Sequence, residues 1–189
     1  MNIVLIGFRC AGKTTVGKKL AKRIGMRFLD CDDYIETRAR RSIKTIFGEK
    51  GESHFRLLES NAIAEISKLD GRVIATGGGA VLRYKNIRNL KRNGFVICLE
   101  VDTASASERI KNDPDTDRHR PKLTDHDLNT EINEQLVFRR EYYEKATDFA
   151  VRTTGRTIDE VVEEIVAILR ERGIETETRE EEDHDGSPS

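Results

Sequence analysis

Apolar positions along the chain fall into two alternating kinds of run. Short, largely β-branched stretches of strand length occur at Asn2 to Ile6, Phe28 to Leu29, Arg72 to Thr76, Phe95 to Leu99 and Phe149 to Val151. Between them lie segments with apolar residues at helical spacing, beginning with Lys13 to Ile24, where Val16, Leu20 and Ile24 recur every four residues and Gly25 stops the run. Ser42 is placed to cap a short helix through Phe47, Glu52 to Ser67 reads as another helix, and a further one lies near Tyr84 to Lys91. Asp127 to Ala146 carries Ile132, Leu136 and Tyr143 on one side, and Thr157 with Glu160 forms a capping box that opens a last helix ending at Arg172. Strand and helix in alternation predict an α/β domain built of βαβ units on a parallel sheet. The stretch from Asn112 to Asp127 is polar, contains Pro114 and Pro121 and has no periodicity, so it predicts a mobile loop.

With 189 residues and 21.5 kDa, the chain predicts one domain, residues 1–174, followed by a tail at 175–189. That tail holds seven acidic residues against Arg179, and taking its −6 from the total of −1 leaves a body of about +5. A basic body suits an anionic small ligand or nucleic acid, and an acidic run of this kind is expected to be disordered. Interleaved aromatics and a known nucleic-acid fold motif are missing, so no nucleic acid is expected as partner. No apolar run reaches the roughly 18 residues of a membrane span. MNIVLIGF has neither the basic start nor the cleavage site of a signal peptide, and Cys10, Cys31 and Cys98 are widely spaced; both point to the cytoplasm and to no disulfides.

The clearest chemistry lies between the first strand and the first helix. Gly7 to Thr14 reads G-x-x-x-x-G-K-[ST], in the strand, loop, helix context that this phosphate-binding motif requires. Backbone N–H groups from Gly7 through Cys10, Ala11 and Gly12, with Lys13, Thr14 and Thr15 at the helix start, are suited to cradle the phosphates of a nucleoside triphosphate. The Thr14 hydroxyl is suited to ligate Mg²⁺. Cys10, inside the loop, is expected to be buried and inert. Asp30 and Asp32 end the second strand, and in extended backbone they share one face. Such a pair can hold hydrated Mg²⁺ and accept a proton from an attacking hydroxyl; the competing reading is that they cap the helix that begins near Tyr34. Gly77, Gly78 and Gly79 follow a strand at the position where ligands of open sheets bind. Arg56 and Glu59 stand one helical turn apart, a spacing that lets the carboxylate orient the guanidinium.

Six segments in order, GFRCAGKTTVGKKLA, FLDCDDYIE, GESHFRLLE, ATGGGAV, RPKL and FRREYYEKA, resemble the shikimate kinase family from Met1 to about Arg172. The resemblance implies a nucleoside-monophosphate-kinase-like P-loop fold, with a five-stranded parallel sheet wrapped by helices and a lid loop at about 112–127. It also implies phosphorylation of the 3-hydroxyl of shikimate with ATP and Mg²⁺ as cofactors, in aromatic amino-acid biosynthesis, by a monomer without membrane attachment. On the matching positions it implies Asp30 and Thr14 at the metal, and Asp32 as the base on the substrate hydroxyls. Arg56 and Arg139 then grip the carboxylate beside Gly77 to Gly79, Arg120 reaches the transferred phosphate, and Arg109 and Arg156 flank the adenine. Where the family often has Asn-Pro after the first arginine of FRREYYEKA, this chain has Arg140-Glu141, which leaves Arg139 and Arg140 both open for the carboxylate. RHRPKL has Lys122 where an apolar residue is usual, and Arg118 is placed to share the role of Arg120. A related gluconate or nucleotide kinase, or a catalytically weak regulatory protein that binds shikimate, are the alternatives.

Overall fold

The computed structural model describes residues 1–112 and 128–174. Its five strands are β1 (Asn2–Gly7), β2 (Arg27–Asp30), β3 (Arg72–Ala75), β4 (Gly94–Glu100) and β5 (Phe149–Arg152). They form one parallel sheet in the order β2-β3-β1-β4-β5. All six residues of β1 are buried, as its unbroken apolar run requires of a central strand covered on both faces. Ile3 lies level with Val73 of β3 on one side and Phe95 of β4 on the other.

Alternation along β1 divides the interior into two cores. Ile3 and Leu5 face Val16 and Leu20 of α1 (Lys13–Arg23) together with Val162, Ile165 and Leu169 of the C-terminal helix Ile158–Glu171. Val4 and Ile6 face the other layer, made by α2 (Cys31–Ala39), α3 (Ile43–Ile66) and α4 (Tyr84–Arg92), through Ile35, Phe55, Ile63, Ile87 and Leu90. α1 lies so close to β2 that a Cβ on Gly17 would come within 2.5 Å of the Phe28 ring. Arg23 meets Glu163 at 2.8 Å between α1 and the C-terminal helix, and the capping box of Thr157 and Glu160 forms as its sequence predicts.

Three elements differ from the sequence reading. α2 begins at Cys31, not near Tyr34: Asp30 is its N-cap and Asp32 already lies in its first turn, so the extended backbone that would put the two carboxylates on one strand face is absent. The short helix after Ser42 and the one from Glu52 are joined as α3, with a break at Gly51 (φ 73°, ψ 175°), and Ser42 accepts from the Thr45 N–H at 3.1 Å. A helix that apolar periodicity does not announce, α5 (Thr103–Asn112), follows β4, and the Asp102 side chain accepts from the Ser105 N–H at 2.8 Å at its start. Asn112 thus ends a helix rather than opening a loop. α6 (Leu128–Ala146) precedes β5, and the Ile158–Glu171 helix is α7. The remaining lid positions 113–127 and the tail 175–189 lie outside the described residues.

The carboxyl ends of three adjacent strands carry the chemistry to one edge. β1 delivers the loop from Gly7 to Gly12, β2 delivers Asp30, and β3 delivers Gly77 to Gly79 and a 3₁₀ turn at Ala80–Leu82. In a parallel sheet this edge is where ligands bind.

Candidate active site

The loop after β1 needs unusual backbone angles. Gly7 has φ 144° and Gly12 φ 92°, and a Cβ at Gly7 would sit 2.4 Å from the Leu99 carbonyl oxygen. Cys10 adopts φ 59°, a left-handed conformation that L residues other than glycine, asparagine and aspartate seldom take. Lys13 is buried at the start of α1, and its Nζ donates to the carbonyls of Gly7 at 2.9 Å and Phe8 at 2.7 Å. The ammonium is therefore held inside the curl of the loop, where the N-terminal end of α1 adds positive potential. Thr14 Oγ1 donates to Asp30 Oδ2 at 2.8 Å, while Asp30 Oδ1 accepts the Asp32 N–H at 2.9 Å. Capping and a place beside the phosphate loop are thus both properties of Asp30, not competing ones.

A cavity of about 350 Å³ opens beside this loop, lined by Cys10, Gly12, Thr15, Arg109, Thr153 and Arg156 among others. Arg109 reaches from α5 to the Cys10 carbonyl at 3.1 Å and the Thr153 carbonyl at 3.1 Å, which ties the loop to the end of β5. Arg156 donates to the Glu160 carbonyl at 2.8 Å and pairs with Glu164. Both arginines that the resemblance assigns to the adenine line this cavity. Sequence reading missed Thr153, which no local motif marks.

On the other side of the loop the glycine turn meets α2, α3 and α6. A Cβ on Gly77 would lie 2.8 Å from Glu59 Oε1 and 3.0 Å from Asp32 Oδ1, and one on Gly79 would lie 2.5 Å from both Nη atoms of Arg56. Only a bare backbone lets these side chains close on the turn. Glu59 is fully buried and accepts from Arg56 Nη1 at 2.9 Å, as the i, i+3 spacing predicts, and Glu52 adds a second carboxylate at 3.0 Å. Burial opposes the charge on Arg56, but Glu59 and Glu52 outweigh it and hold its pKa above the ordinary guanidinium value. Arg139 Nη1 donates to the Gly78 carbonyl at 3.3 Å, and Tyr143 OH donates to the same oxygen at 2.7 Å. Arg140 instead lines a separate groove with Arg152 and Glu144. Tyr143, four residues after Arg139 on α6 and so on the same face, meets the turn although the sequence placed it only on the apolar side of its helix. Arg120 lies outside the described residues.

The three cysteines differ. Cys31 is buried, and burial together with the charges of Asp32, Glu59 and Asp30 pushes its pKa well up; burial and Glu100 push Cys98 up to about 11. Cys10, expected to be buried, is only half-buried, and it lines the cavity beside Arg109 and Arg156. Iodoacetamide at pH 8 is expected to label Cys10 alone in the folded protein, read by peptide mass spectrometry. Label arriving first on Cys31 or Cys98 would contradict this placement.

Donor chemistry at Thr14 and Asp30 fits Mg²⁺: one hydroxyl and one carboxylate oxygen, both hard ligands, converge at 2.8 Å. Among the described residues no cluster of three or more His, Cys, Asp or Glu side chains is placed to hold a metal.

The family model described as shikimate kinase matches residues 9–170. A shikimate kinase of Thermodesulfovibrio yellowstonii is 43% identical over 165 residues, covering 87% of this chain and 92% of that protein. One from Symbiobacterium thermophilum is 39% identical over 173 residues, covering 92% and 98%. A solved shikimate kinase of Acinetobacter baumannii in complex with shikimate superposes with a TM-score of 0.84 at 30% identity, covering 90% of this chain and 93% of that one.

Proposed function

The chain belongs to the shikimate kinase family, and from that premise we propose that it transfers the γ-phosphoryl group of ATP to the 3-hydroxyl of shikimate, giving shikimate 3-phosphate and ADP. The observation that carries the reading to particular residues is the meeting, at one glycine turn beside the phosphate loop, of Asp32 with Arg56 and Arg139. A carboxylate next to two arginines suits an acceptor that is both an alcohol and an acid.

In this reading the loop N–H groups and Lys13 hold the β- and γ-phosphates, and Arg109 and Arg156 border the adenine. Arg56, fixed by Glu59 and Glu52, and Arg139 grip the acceptor carboxylate. That grip sets the ring so that its 3-hydroxyl lies by Asp32, which takes the proton as the oxygen attacks phosphorus in line. Most of the acceleration in such a transfer comes from positioning and charge neutralisation, so fixed arginines matter more than a strong base. Thr14 and Asp30 are the residues that would hold Mg²⁺, whose contribution is to offset charge on the phosphate oxygens. Arg120 completes the set at the transferred phosphoryl group. Residues 1–174 act as the catalytic domain, in the cytoplasm where ATP is available. The protein acts as a monomer in this reading. Among the described residues, no helix is long and apolar enough to cross a membrane.

The test is ADP release from MgATP with shikimate, gluconate or nucleoside monophosphates as acceptor. Turnover with shikimate alone is expected; turnover only with another acceptor would contradict the assignment. A finer check is Gly79→Ala, whose new Cβ must displace an Arg56 that two carboxylates pin in place. KM for shikimate should rise about 10- to 100-fold with KM for ATP little changed, since a misplaced charge partner costs roughly 1.5–3 kcal/mol. An unchanged KM for shikimate would show that Arg56 does not hold the acceptor.

A further inference from the structure

Arg9 lies between Phe8 and Cys10 in the phosphate loop. It is half-buried, with Nε and Nη2 shielded from solvent. Its guanidinium carbon lies 5.8 Å from the centroid of the Phe8 ring, and that of Arg139, arriving from α6, lies 5.6 Å from the same centroid. The backbone places Arg9 on the acceptor side as well. The Arg9 N atom is 3.1 Å from where a Cβ on Gly78 would be, and the Gly78 carbonyl is the one that Arg139 and Tyr143 hold. The nucleotide-side contacts of the loop belong to other residues: Lys13 takes the Gly7 and Phe8 carbonyls, and Arg109 takes that of Cys10.

Charge makes the placement consequential. Asp32 and Glu59 both close on Gly77, and Glu59, with the largely exposed Glu52, already engages Arg56. Arg56 and Arg139 alone only balance the two carboxylates at the turn, so an incoming carboxylate would find no net positive charge there. A third guanidinium supplies it. We propose that Arg9 is a specificity-determining residue of the acceptor site, which holds the acceptor's carboxylate together with Arg139 from the phosphate-loop side. This rests on the shikimate kinase reading above.

The experiment compares the full-length protein with Arg9→Met and Arg9→Lys, using shikimate and its neutral carboxamide analogue as acceptors. Arg9→Met should raise KM for shikimate at least tenfold while kcat and KM for ATP stay within about threefold, and Arg9→Lys should recover part of the loss. With the carboxamide, wild type and Arg9→Met should have the same KM, because no charge remains to be read. A shikimate KM within twofold of wild type would overturn the proposal. So would an equal penalty with the carboxamide, or a fall in kcat with KM unchanged, which would place Arg9 on the phosphoryl group instead. A wild type inactive on shikimate would overturn the kinase reading, and calorimetric affinities of wild type and Arg9→Met for shikimate would still decide the role of Arg9.

Discussion

Replacing Asp32 by asparagine is expected to lower kcat for shikimate phosphorylation by about 10²- to 10⁴-fold, the range a positioned general base contributes, while MgATP still binds. Asparagine keeps the shape of the side chain and removes its capacity to take a proton. The backbone around it should stay as it is, because the Asp32 N–H, not its carboxylate, is what bonds to Asp30. Thr14, Lys13 and the loop carbonyls form their contacts without it. The expected signature is therefore a large loss in kcat with KM for ATP within about threefold. The same change relieves some repulsion beside Glu59, since both carboxylates close on Gly77, so the folded protein should not lose stability. A variant that retains more than a tenth of wild-type kcat would move the proton to another acceptor.

Glu59→Ala is expected to act on both stability and substrate affinity. Glu59 is 0% exposed, and its partner Arg56 has a side chain 13% exposed. Removing one member of such a pair leaves a shielded charge behind, which typically costs about 3–5 kcal/mol. Glu52 remains on Arg56 but is largely in solvent, with its side chain 64% exposed, so it offsets only part of the loss. About 3 kcal/mol is the expected destabilisation, read as a shift in the urea midpoint at constant slope. In a melting curve this is a fall of roughly 6–12 °C for a domain of this size. An Arg56 side chain released from Glu59 should also weaken shikimate binding more than ATP binding. A midpoint within 0.5 kcal/mol of wild type would show that Glu59 and Arg56 are not held as a pair.

How far the sequence carries depends on the distance over which each feature is encoded. The phosphate loop is legible because Gly12, Lys13 and Thr14 sit at fixed offsets after an unbroken apolar strand, and the Arg56–Glu59 pair because helix geometry brings i and i+3 together. α5 was not legible, since Ala106, Ser107 and Ile110 bury a face with only one large apolar side chain. The start of α2 was misplaced because Asp30 serves as last strand residue and as cap, with nothing in FLDCDDYIE to mark the change. Contacts between distant segments were the least accessible. Arg109 meets Cys10 from 99 residues away, and Tyr143 meets Gly78 from 65. Adjacent residues on a helix point about 100° apart, so sequence left Arg139 and Arg140 open, whereas packing of α6 turns Arg139 to the glycine turn and Arg140 to the groove beside β5.

The destination of the phosphoryl group is the most direct test. Phosphorus-31 NMR of the purified product, formed from MgATP and shikimate, should show one new phosphate monoester coupled to the ring proton at carbon 3, appearing in step with ADP. A monoester coupled to another ring proton, or ADP formed with inorganic phosphate and no monoester, would contradict it.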